Sequence, residues 1–130
     1  LKHFKRAFLF AVAWLLVVTI LLCTPGSRLP KIGWSDKIWL DKWAHIFLFL
    51  VLVILWCRAY LKAELVINIK KIFITIWILS IVYGVGMEIV QHFFIPNRSF
   101  DFGDMIADII GSVAGYFISL SRLLKNRAYK

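Results

Sequence analysis

Nine polar side chains near three apolar stretches carry whatever chemistry this chain performs. Asp41, Lys42 and His45 come first, then Glu88, Gln91 and Arg98, then Asp101, Asp104 and Asp108. Asp41 and His45 are four residues apart, so a helix places them on one face with Lys42 beside them. Glu88, Gln91 and His92 run i, i+3, i+4 and share a face in the same way. Asp101, Asp104, Asp108, Gly111 and Gly115 advance by 3, 4, 3 and 4, giving one helical stripe that is acidic at one end and small at the other. Glu88, Asp101, Asp104 and Asp108 are the hard oxygen ligands available to a divalent metal, although no ligand spacing assigns one. Lys42, Arg98 and the histidines are the groups that would meet a phosphate. The five carboxylates outnumber Lys42 and Arg98, a surplus that favours a cation or shifted pKa values over a bare phosphate. The same mixture would also serve as an interhelical lock.

The elements that must position these groups are membrane spans. The chain has 130 residues, 62% hydrophobic and 18% charged, with mean hydropathy +0.82. Soluble domains are about 45 to 50% apolar and about 25% charged, and a soluble fold of this size has no interior large enough for the excess. Four runs of span length are present, over residues 7–23, 43–61, 72–91 and 105–124. The second extends past Arg58 to Leu61 by snorkelling of that side chain, and Pro25-Gly26 and Pro96 follow the first and third. No period-2 pattern appears, and an open sheet does not survive in lipid. The expected fold is therefore all-α: a polytopic bundle of four transmembrane helices forming one domain over residues 1–130. The first run also resembles a signal peptide, but Ile20, Leu21 and Leu22 precede Cys23 where small residues would be needed, so it is read as a retained helix.

Orientation follows from the basic residues. With four spans, Lys2, Lys5, Arg6, Arg58, Lys62, Lys70, Lys71, Arg122, Lys125, Arg127 and Lys130 share one side, which is 11 of the 16 Lys and Arg. That side is expected to be cytoplasmic, with both termini in, and the polar cluster then lies at the outer ends of the helices. The net charge of +9 is accounted for by topology and anionic lipid headgroups, and no nucleic-acid partner is inferred. Cys23 falls at an outer span end and Cys57 at an inner one, about one bilayer apart, and they are read as unpaired, because a disulfide needs Cα atoms within about 7 Å. No HExxH, P-loop or nucleophile elbow is present, and no cofactor is assigned.

Several features have an ordinary structural role as alternative. Asp101 and Asp104 serve either as helix caps or as a ligand pair. Gly111-x-x-x-Gly115 is read first as a packing face within the bundle, and only second as a dimer contact. Trp34, Trp39 and Trp43 are read as interfacial anchors, and the stretch Gly33 to Trp39 as able to lie flat on the outer surface.

The segment Glu88-Ile89-Val90-Gln91 through Pro96-Asn97-Arg98-Ser99-Phe100-Asp101-Phe102-Gly103-Asp104, with Asp108 and Gly111 beyond it, resembles the signature of the VanZ-like membrane protein family. Asp41-Lys42-Trp43-Ala44-His45 is similar to that family's second motif, and Pro25-Gly26 to Leu29-Pro30 to its first loop. The likeness runs from about residue 9 to residue 120. It implies about four spans, a place in the bacterial cell membrane and, from the founding member, a link to low-level resistance to the glycopeptide teicoplanin. Where the family usually carries Asn, this chain has Asp108, a carboxylate that titrates or binds a cation as an amide does not. Three readings of the cluster follow. It binds a lipid or lipid-linked envelope headgroup at its outer mouth, it is a metal-dependent hydrolase or transferase acting on such a lipid, or it is a structural lock between helices. The partners expected are the bilayer and such a lipid.

Overall fold

In the computed structural model, which describes residues 2–25, 34–63 and 68–128, the chain is four helices and contains no strand among the described residues. They are α1 (Lys2–Leu22), α2 (Trp34–Leu61), α3 (Ile69–Phe94) and α4 (Phe102–Ala128). All four are long and apolar enough to cross a membrane. The shortest, α1, has 21 residues; at 1.5 Å per residue that is about 32 Å, enough for the hydrocarbon thickness.

Each helix exceeds the uncharged run that signalled it. The helix α2 begins at Trp34 rather than at Trp43, so residues 34–39 form its first turns, and α4 takes in Gly103 and Asp104 before Met105. At the membrane boundary a backbone amide is still best satisfied by continuing the helix, so a change in side-chain polarity does not end it. The loop Gly26 to Pro30, Gly33 and Glu64 lie outside the described residues.

The ends of α3 and α4 have local causes. Asn68 caps α3 by accepting a hydrogen bond from the Lys71 amide. At the other end Ile95 turns extended, Pro96 follows, and Asn97 adopts φ 58°, the left-handed region that Asn tolerates better than most residues. Asp101 then opens α4: its Oδ1 accepts from the Gly103 amide at 2.6 Å and its carbonyl from the amides of Asp104 and Met105. Asp101 thus has the geometry of an N-cap.

Polarity is inverted relative to a water-soluble bundle. Many exposed large side chains are apolar, among them Leu9, Phe10, Ile20, Phe47, Leu79, Val82, Phe93 and Phe117. Polar residues that are buried include His45, Ser80, Glu88, Gln91, Asp104, Asp108, Ser112 and Ser119. Hydrocarbon is the solvent for such a surface, and polar groups retreat from it. Hydroxyls that remain in the helices return their hydrogens to their own backbone, as Thr19 does to Leu15, Thr75 to Lys71 and Ser119 to Gly115.

The helix α2 is the centre of the bundle and packs most closely on α4. The approach is set by small residues. A Cβ at Gly115 would lie 2.7 Å from the Leu50 carbonyl oxygen, and one at Gly111 would collide with the backbone of Ile46. The stripe from Gly111 to Gly115 therefore serves contact within one chain, as a small-residue helix interface does in lipid. Val18, Leu22, Leu48, Phe49, Leu52 and Met87 pack together toward one end, and Val53, Cys57, Ile69, Phe73 and Leu123 toward the other. The helices α1 and α3 barely touch. Between them an apolar cleft of about 420 Å³ is floored by Leu52, Val53 and Trp56 of α2. Cys23 and Cys57 are both free.

Candidate functional site

The C-terminal ends of α1 and α3 meet the N-terminal ends of α2 and α4, and the polar residues gather there. From α2, Lys42 reaches across to α4 and donates to Asp101 Oδ2 at 2.6 Å and Asp104 Oδ1 at 2.5 Å. Gly103 makes that reach possible, because a Cβ at that position would lie 2.5 Å from Lys42 Cε. One turn deeper, His45 Nδ1 lies 2.8 Å from Asp108 Oδ1, and His45 Nε2 faces Asp104 Oδ2 at 3.9 Å. From α3, Glu88 Oε2 accepts a hydrogen bond from the Asp101 amide at 3.2 Å. The stripes on α2, α3 and α4 thus form one cluster.

Burial grades the cluster with depth. The Asp101 side chain is 47% exposed and that of Lys42 21%. As whole residues His45, Glu88, Asp104 and Asp108 are all 4% exposed or less. The Lys42 ammonium, by its hydrogen bond first, holds the Asp101 carboxyl below the usual range, against an opposing contribution from burial. A carboxyl lowered in this way stabilises the fold above its unfolded pKa and loses that contribution as the pH falls through the lowered folded value. For a half-exposed pair the amount is small.

Two carboxylate oxygens remain apart from these pairings. Glu88 Oε1 and Asp108 Oδ2 are buried without a hydrogen-bond partner. Asp108 Oδ2 points to α3 at Gly84, where a Cβ would stand 2.8 Å from it. Beneath the cluster, Ser80 donates to Ser112 at 3.0 Å.

Two expected members occupy other positions. Arg98 turns away from the carboxylates: its Nε donates to the Thr24 carbonyl at 3.4 Å, because the turn after Pro96 and Asn97 carries it toward the end of α1. Gln91 is buried but donates to the Leu22 carbonyl at 2.9 Å, tying α3 to α1. Asp41 is partly exposed and stands with His45 and Asp104 as a group that could hold an ion. The exposed His92 stacks edge-on with Phe93 and Phe100. Lys42 is thus held by two carboxylates, while Arg98 directs its Nε to a carbonyl.

Sequence reading overlooked Gly84. The signal was present in the spacing of Ser80, Gly84 and Glu88 by four, a stripe on α3 that runs into the acidic stripe of α4.

A family model described as VanZ/LLP1 matches residues 2–125. No curated protein and no solved structure matches the chain.

Proposed function

The chain belongs to the VanZ/LLP1 family, and on that premise we propose that it is a single-domain protein of the bacterial cytoplasmic membrane that receives the polar head of a membrane lipid or lipid-linked envelope precursor at its outward-facing cluster. Through that lipid it influences tolerance to glycopeptides such as teicoplanin. One observation carries the reading: ionisable side chains of α2, α3 and α4 converge at one end of a bundle whose outer surface is apolar. Each costs a few kcal/mol to place in a span, so such groups mark a ligand or ion path by default. Five carboxylates face one lysine there, which suits the hydroxyls of a glycan or an amine better than an unaided phosphate.

The metal-dependent hydrolase or transferase is the second reading, favoured by the unpartnered oxygens of Glu88 and Asp108 beside an imidazole. A site of that composition is what metal-assisted attack on a phosphoryl group requires.

The test is lipid retention by protein taken from nanodiscs of bacterial envelope lipid and read by native mass spectrometry. Asp41→Asn removes a partly exposed charge, so its melting temperature should be unchanged while retention of a headgroup-bearing lipid falls about tenfold, a loss of about 1.4 kcal/mol. Equal retention by the two proteins, or a loss that only follows unfolding, would overturn the reading.

Orientation has its own test. The bias of basic residues toward the termini and the α2–α3 connection supports a cytoplasmic position for that side. A reporter active only in the cytoplasm, fused after Lys130, should therefore be active. Activity confined to an exported reporter at the same position would move the cluster to the inner face and remove the envelope precursor from its reach.

A further inference from the structure

We infer that His45, Glu88 and Asp108 form a site for one divalent cation of the Mn²⁺ or Zn²⁺ class, with open coordination positions toward the lipid headgroup. This deepens the headgroup reading and rests on it only for the identity of the outer ligand.

Each of the three residues offers a donor atom, and the three atoms lie within 4.8 Å of one another. Ligands about 2.0 to 2.2 Å from a common ion are roughly 3 to 4 Å apart, so a small rotation about the long Glu88 side chain closes the set. His45 Nδ1 and Asp108 Oδ1 are already 2.8 Å apart, near the short end of that range. An ion there replaces the hydrogen between them, since ligands bind deprotonated.

The independent observation is the pair of unpartnered oxygens. Glu88 and Asp108 are 1% and 2% exposed, and Glu88 Oε1 and Asp108 Oδ2 have no hydrogen-bond partner. Buried polar atoms are nearly always satisfied, and an exception in a native fold calls for a missing ion or water. Gly84 leaves the space that Asp108 Oδ2 occupies against α3.

The neighbouring group Asp41, His45 and Asp104 is the weaker choice. Asp104 is already neutralised by Lys42 at 2.5 Å, and Asp41 is partly exposed. One imidazole with two carboxylates selects against Mg²⁺ and Ca²⁺, which favour all-oxygen shells, and leaves Mn²⁺ and Zn²⁺ as the best match. Three protein ligands leave positions open, as catalytic rather than structural centres do. Such an ion adds positive charge beside Lys42, whose ammonium is already shared by Asp101 and Asp104.

The experiment titrates the chelator-stripped full chain in nanodiscs of zwitterionic lipid with Mn²⁺ and with Zn²⁺, reading stoichiometry by calorimetry and elemental analysis. One equivalent should bind. Glu88→Gln and Asp108→Asn, both near-isosteric, should each weaken binding tenfold or more, and His92→Ala, at the exposed histidine, should leave it unchanged. Circular dichroism must report a folded helical bundle for each. No stoichiometric binding, binding insensitive to both carboxylate changes, or loss with Asp41→Asn or His92→Ala instead would overturn the site. No envelope lipid is present, so the titration can fail while lipid retention persists, and the reverse, which separates this inference from the headgroup reading.

Discussion

Lys42→Met is expected to destabilise the folded bundle by about 3 kcal/mol, the lower part of the range for breaking a buried ion pair. Lys42 Nζ bridges Asp101 and Asp104 from the facing helix, and the two acids are not equivalent. Asp101 is about half exposed, so water takes over when the ammonium is lost. Asp104 is 4% exposed, so it becomes a desolvated charge whose nearest remaining cation source is His45 Nε2 at 3.9 Å. The cost therefore lies in the stranded Asp104 more than in the lost attraction. Two companion variants separate these contributions. Asp101→Asn retains a good N-cap for α4 and should cost under about 1 kcal/mol. Lys42→Met combined with Asp104→Asn should recover most of the loss, because removing both partners leaves no charge behind. Denaturation by a mixed-micelle titration in chelator gives all three values. A Lys42→Met loss below about 0.5 kcal/mol, or no recovery in the double variant, would show that the bridge does not hold α2 to α4.

This bridge shows what could and could not be read before the structure. Four apolar runs were enough to identify four spans, because lipid admits no other backbone solution to so much apolar sequence. The faces were legible too: Asp41 with His45, Glu88 with Gln91, and Asp101, Asp104, Asp108 with the glycines. Helical periodicity alone puts each set on one side of its helix. Partner choice was not legible. Lys42 and Arg98 look alike as cations beside acids, yet Lys42 lies within α2 facing α4, whereas Arg98 follows the left-handed Asn97 and is carried to Thr24. Nothing in a residue's type states which way a turn will send it. Gln91 illustrates the same limit. It shares a face with Glu88, but one turn further along α3 that face meets the end of α1, so its amide donates to the Leu22 carbonyl. Helix ends were also hidden, since α2 and α4 continue through charged residues where hydropathy falls but backbone hydrogen bonding does not.

Glu88→Gln is expected to have the opposite sign on stability from Lys42→Met, and with it the largest loss of binding. In the native chain Glu88 Oε2 accepts from the Asp101 amide, while Oε1 is buried with no partner. Glutamine keeps the acceptor for Asp101 and removes a desolvated charge from among Asp104 and Asp108. Leaving a buried polar atom unsatisfied costs about 1 to 3 kcal/mol, and more when it is charged. The chelator-treated variant should therefore be as stable as the parent or more stable by about 1 to 3 kcal/mol, even though the amide hydrogens need a neighbouring carboxylate oxygen to receive them. Retention of the headgroup lipid and binding of Mn²⁺ or Zn²⁺ should fall tenfold or more, about 1.4 kcal/mol or greater. That combination is the signature of a residue kept for function at the expense of stability. A structural lock predicts the reverse, because a lock residue stabilises the fold and its loss weakens binding only as far as it unfolds the protein. Melting temperature and lipid retention measured on the same preparation decide between them: a Glu88→Gln protein less stable by more than about 1 kcal/mol, with binding lost in proportion, would assign Glu88 to the lock and leave no function resting on its unpartnered oxygen.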